Sequence, residues 1–244
     1  MKLQRALLTL PALAGVMFFA SCAVPAKVDP AAHAVLYKCT EKLRNTSTLQ
    51  VFGTRDADPA LLAKGLKSGH ASFEMAVSRP GDLALRGRDA EGTHHLLAGN
   101  GGITLYNDRE NVYSTLKADA TTIDGLVEEV EDKFDVKFTI GEMLGEDPMG
   151  TLMDEVTEVK MGGDESINGT PCTRLDFTQK DLVWSLWIAK SDSLPRKSVL
   201  VYIEHPGHPK RTVTVDHWKL NAPIPASMFS LSLKKGARHV DVIH

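Results

Sequence analysis

The chain has 244 residues, with 28 Lys+Arg against 31 Asp+Glu and a formal net charge of −3. No block of basic residues stands out from that mildly acidic balance, which excludes the electrostatic footprint of a nucleic-acid-binding surface. The sequence contains no G-x-S-x-G elbow, no H-E-x-x-H pair and no P-loop, so neither an enzyme activity nor a cofactor is expected.

Lys2 and Arg5 precede an apolar run from Ala6 to Ala20. The run is too short to span a bilayer comfortably and reads as a secretory signal. Its end, Phe19-Ala20-Ser21-Cys22, resembles the lipobox of bacterial lipoproteins, cut before a cysteine that carries the lipid. Phe19 stands where that motif usually has Leu, and cuts after Ala23 or Ala26 are the alternative, giving a soluble exported chain. The organisation expected is a signal peptide over 1–21, lipid attachment at Cys22, a tether over 22–28 and one domain over 29–244. About 220 residues suit a single β-rich domain.

Asp29-Pro30 opens a helix, Asp as N-cap and Pro in the first turn. Ala32, Leu36, Cys39 and Leu43 then form one apolar stripe. From Ser47 the period changes to two, predicting strands over 49–54, 71–78, 82–89, 93–98, 103–106 and 111–116. Residues 55–69 read as a short helical turn or a loop. A helical block follows, with Thr121 and Asp124 resembling a capping box and Ile123, Leu126, Val127, Val130 and Phe134 on one face. Ile140, Met143 and Leu144 predict a second helix, and Asp147-Pro148 starts a third that carries Met149, Leu152 and Met153. Strands resume over 156–161, 164–167, 172–178, 182–189, 197–203 and 211–220, with Asn168-Gly169 as a hairpin turn. In 182–189, Leu182, Trp184, Leu186 and Ile188 share one face, Val183 and Trp187 the other. Both faces are largely apolar, so both should be covered, as in a sheet curved around helices.

The histidines read as structural. His94 and His95 are adjacent on a strand and point to opposite faces, so they cannot grip one ion. The glycine-rich run from Gly99 to Gly102 leads into another strand, not into the helix that a phosphate loop requires. His205 and His208 flank a Pro-Gly turn with no cysteine or carboxylate close by to complete a metal site. Arg86 and Arg88 most simply mark a solvated strand face.

The hairpin Leu105-Tyr106 to Asn111-Val112-Tyr113, the Thr122-Ile123-Asp124 helix start, the strand opening Gly169-Thr170-Pro171-Cys172 and the turn Leu194-Pro195-Arg196-Lys197 resemble a family of uncharacterised predicted periplasmic proteins. That family is similar, more remotely, to the LolA/LolB lipoprotein-carrier superfamily. The resemblance implies an α+β fold, an unclosed antiparallel β-barrel with helices lidding its concave face. It also implies a periplasmic protein that holds lipid or lipoprotein acyl chains, and the lipobox-like end at Cys22 adds the expectation of a lipid tether, at the outer membrane. Met143, Leu144, Met149, Leu152, Met153, Trp184 and Trp187 are the candidates to line the cavity, methionine being a side chain that remodels around apolar ligands. The competing expectation is a structural or interaction module of an envelope complex, its cavity filled by its own side chains. Cys39 and Cys172 form an even pair in an oxidising compartment. Two buried, unpaired thiols are expected all the same, because Cys39 lies on an apolar stripe and the resemblance supplies no partner for Cys172.

Overall fold

The computed structural model describes residues 26–62, 68–134 and 139–241. The expected signal peptide and the expected lipid-attachment residue Cys22 lie outside them. In chain order the elements are β1 (Lys27–Val28), α1 (Pro30–Arg44), β2 (Thr48–Ala57), a 3₁₀ turn (Pro59–Leu61), β3 (His70–Ser78), β4 (Asp82–Asp89), β5 (Gly92–Gly99), β6 (Gly102–Asn107), β7 (Val112–Lys117), α2 (Ile123–Phe134), α3 (Thr139–Glu142), α4 (Pro148–Met153), β8 (Glu158–Ile167), β9 (Thr170–Thr178), β10 (Leu182–Ala189), β11 (Pro195–Tyr202), β12 (Lys210–Leu220), a second 3₁₀ turn (Ala226–Phe229) and β13 (Arg238–His239).

Among the described residues the strands form one 13-stranded sheet in the order β1-β8-β9-β10-β11-β12-β2-β3-β4-β5-β6-β7-β13. Every pairing in it is antiparallel except the two at the ends, where β1 adds in parallel to β8 and β13 to β7. The two end strands do not meet, so the sheet is an open half-barrel. Consecutive strands are neighbours on either side of the helical insertion, and the β12–β2 pairing joins the two meanders. One face carries the apolar core over most of its extent. Leu49, Val51, Met75, Leu83 and Ile103 from one meander and Leu175, Phe177, Trp184, Leu186 and Val215 from the other pack into a single core with the helices. Residues this distant in the sheet order share one core because the sheet curls around α1, α2 and α4.

The helices start where side chains cap them. Asp29 accepts from the N–H groups of Ala31 and Ala32 at 2.7 and 3.3 Å, and the predicted stripe of α1 is fully buried. The Arg79 guanidinium donates to the Thr46 and Leu43 carbonyls at 2.9 and 3.3 Å, closing the C-terminus of that helix. Three expectations are corrected. At α2 the cap is Thr122, whose hydroxyl accepts from Gly125 N–H at 3.4 Å, rather than Thr121 with Asp124. Residues 156–161 and 164–167 do not make two strands: 158–167 form one, β8, continuous through a bulge at Met161/Gly163 with Gly163 at φ +96°. Residues 55–57, read as loop or helical turn, extend β2 because both β3 and β12 pair with them.

Candidate functional site

The lid is built from short pieces held by carboxylates. Asp147 caps α4, accepting from Gly150 N–H at 3.1 Å. Asp124 on α2 accepts from Glu146 N–H at 2.5 Å and so ties the α3–α4 connection to α2. A Cβ at Gly145 would overlap the Asp124 carboxylate, so a side chain there would have to displace this tie. This frame buries Met143, Leu144 and Leu152 completely in the main core and leaves Met149 and Met153 half-buried against it.

Trp184 joins these residues, stacked on Phe177 with ring centroids 3.6 Å apart. Trp187 does not. It lies on the opposite face of β10 in a separate cluster with Ile167, Cys172 and Ala189. There Lys197 sits 4.8 Å over its ring and Nε1 donates to Glu165 at 3.0 Å. The reason is the strand period itself, which sends residues 184 and 187 to different faces. Cys39 is fully buried in the main core and Cys172 in the outer cluster, and among the described residues neither is in a disulfide.

On the inner face of β2–β6, successive cross-strand rows grow more open and more polar. The first, Leu49, Val77, Leu83, Ala98 and Ile103, is fully buried. The next contains Leu85 and Leu105, which are half-exposed. Then come Phe73, Gly87 and His94. A Cβ at Gly87 would meet nothing within 4 Å among the described residues, which leaves space above that row. Beyond it stand Arg55 on β2 and Arg211 on β12, diagonal neighbours through the Val213↔Arg55 and Arg211↔Ala57 pairings. Across the mouth, His94 Nε2 lies 3.3 Å from an Asp89 carboxylate that is 2% exposed.

Sequence reasoning missed this charged end. Arg55 fell in the stretch read as loop or turn, and Arg211 opened a predicted strand. The available signal was the period-two series Val51, Gly53, Arg55 and Val215, Val213, Arg211, in which a charge continues an apolar face. Arg86 lies on the outer face, 3.5 Å from Glu74. His95 is also there, its ring centroid 5.7 Å from that of Tyr106. Burial, together with Arg86, holds the His95 pKa below the ordinary histidine value. The two histidines thus lie on opposite faces. Among the described residues no group of three or more His, Cys, Asp and Glu side chains is arranged to hold a metal ion.

The outer face of β4–β7 is strapped by the C-terminal segment. Phe229, Leu231 and Leu233 border a groove of about 390 Å³ over Leu97, Thr104 and Tyr113. Lys234 Nζ then donates to the Asp108 carbonyl at 2.8 Å, and β13 pairs with β7.

An unclosed antiparallel sheet with helices packed on one face is the LolA-like half-barrel. Three crystal structures share the fold with this chain. LprF from Mycobacterium bovis matches with a TM-score of 0.51 at 13% identity, over 86% of this chain and 98% of its own. An uncharacterized conserved protein from Thermus thermophilus matches at 0.50 and 10%, over 86% and 98%. The lipoprotein LppX from Mycobacterium tuberculosis matches at 0.50 and 17%, over 80% and 98%. Residues 32–243 match the model of a predicted periplasmic protein family, DUF2092, and the chain belongs to that family. No curated protein matches it in sequence.

Proposed function

We propose that this protein holds lipid or lipoprotein acyl chains between the inner face of its half-barrel and the α3–α4 lid, without catalysing a reaction. The observation that carries the reading is the apolar inner face left half-covered, with Phe73, Leu85, Leu105 and Val213 on the sheet and Met149 and Met153 on the lid. Apolar side chains at that depth gain when a ligand removes the rest of their surface from water, and each acyl CH₂ buried contributes about 0.8 kcal/mol. Methionines on short helices tied by single carboxylates suit a lid that re-packs around chains of different shape. The periplasmic family supports export. Anchoring through Cys22 to the outer membrane is part of the proposal, supported by the lipobox-like sequence and by a fold shared with a lipoprotein.

The full burial of Met143, Leu144 and Leu152 favours a second reading, an envelope interaction module whose interior is filled by its own side chains. Native mass spectrometry of the purified protein separates the two. Co-purified lipid, or uptake of a fluorescent apolar probe, is expected of the carrier. A clean apo mass with no probe uptake favours the module.

A further inference from the structure

Two guanidinium groups on the inner face of a half-barrel are an expensive arrangement. Arg55 and Arg211 point to the same side as Val51 and Val215, which are fully buried. Arg55 Nη2 donates to the Ser68 carbonyl at 3.2 Å, but its Nε is buried with no hydrogen-bond partner among the described residues. A buried cationic donor left unmatched costs free energy that an anion would recover. Burial first, and then the adjacent Arg211, lower the Arg55 pKa, while Asp89 and Asp56 act against them. Asp89 accepts from Glu91 N–H at 2.7 Å and faces His94, and Asp56 pairs with His70 at 2.8 Å on the outer side.

The surroundings are apolar on both flanks. Leu200 pairs with Arg211 and Trp184 with Leu200 on one side, while Phe73 and the open space at Gly87 lie on the other. A cation strip at the mouth of an apolar trough matches a molecule charged at one end only. We propose that Arg55 and Arg211 bind the anionic headgroup, phosphate or carboxylate, of an amphiphile whose acyl chain lies along the inner face. Guanidinium forks pair with both anions bidentately, and such charge-assisted bonds are the strong ones. This rests on the acyl-binding reading above and makes it specific: the ligand class is anionic amphiphiles, held head-to-mouth.

The test compares cis-parinaric acid with its methyl ester, at about pH 8 where the carboxylate is ionised. The wild-type protein is measured beside Arg55→Gln/Arg211→Gln and beside Arg86→Gln/Arg88→Gln, a control on the outer face. The acid should bind the wild type about tenfold more tightly than the ester, the scale of one lost charge-assisted hydrogen bond. The inner-face variant should lose that preference and keep its ester affinity, and the control should keep both. Equal affinities for acid and ester on the wild type overturn the proposal while leaving acyl binding intact, and that comparison stands even if the inner-face variant fails to fold. A preference that survives in the folded inner-face variant overturns it too. Binding of neither probe removes the acyl-carrier reading itself. Inorganic phosphate binding the wild type as tightly as the acid would make the strip a simple anion site and not a headgroup site.

Discussion

Cys39 shows what burial does to a single titratable group. It sits on the inward stripe of α1 with none of its surface exposed, and burial, with a smaller contribution from Asp192, pushes its thiol up from 9.0 to about 12. The folded chain therefore keeps a proton that the unfolded chain releases, and stability that is fully present below pH 9 is lost as pH rises through that window. The slope for one such group is about 1.4 kcal/mol per pH unit. Cys39→Ala should have a lower urea midpoint near neutrality, from the small cavity it leaves, but should lose less stability than the parent between about pH 8 and about pH 10. Equal losses in the two proteins would show that the thiol is not the group responsible. Thiol labelling of the folded protein at neutral pH should leave both Cys39 and Cys172 unmodified, and labelling after denaturation without reductant should modify both. Gly145 is the second residue where one atom decides. Gly145→Ala sets a methyl group against the Asp124 carboxylate, and releasing Glu146 N–H should lower stability by about 1–3 kcal/mol. Chemical denaturation measures it, and a loss within error of zero would mean that the tie between α2 and the lid carries no weight.

At the scale of elements, alternation made most of the sheet legible. The strands predicted over 82–89 and 182–189 have the bounds observed for β4 and β10, because turn residues flank each run on both sides. What was not legible depended on partners far away in the chain. Residues 55–57 are extended only because β3 and β12 flank them, β8 bridges a glycine pair by a bulge, and two-residue strands such as β1 and β13 have no period to detect. The site divides the same way. The lid methionines stood out by composition on predicted helices, whereas the arginine strip needed the register of β2 against β12 to bring Arg55 and Arg211 together. Trp187 is the reverse case, where the strand period should have outweighed the appeal of a tryptophan pair. The lid carries its own prediction. A Met149→Glu/Met153→Glu variant should bind an apolar probe at least about tenfold more weakly while retaining its circular dichroism, since both side chains are half-buried and a carboxylate there opposes an acyl chain. Unchanged affinity in a folded variant would remove α4 from the site.

For the whole molecule the decisive feature is that the half-barrel is open and each of its edges is covered only at one end. Exposed edge strands invite pairing with other chains, and here a two-residue strand covers the first two residues of β8 and of β7. At the β8 edge, Lys27 N–H donates to the Thr157 carbonyl at 2.9 Å and Asp29 N–H to the Val159 carbonyl at 3.0 Å. If Cys22 carries the proposed lipid, this pairing also fixes which part of the protein faces the membrane. At ~3.6 Å per residue the chain from Cys22 to Lys27 reaches no more than about 18 Å, so the β8 edge must stay within that distance of the bilayer surface. The opposite edge, where β13 pairs with β7, lies at the other end of the sheet order. Cys22→Ser should move the protein from the membrane to the soluble periplasmic fraction without altering its fold. A photocrosslinker in place of Lys160, an exposed side chain on β8, should label lipid in the parent protein and fail to do so in the Cys22→Ser background. The same probe at Arg238 on β13 should label lipid weakly in both. Membrane association that survives Cys22→Ser would end the anchoring proposal, and equal labelling from the two edges would show that the tether does not orient the barrel.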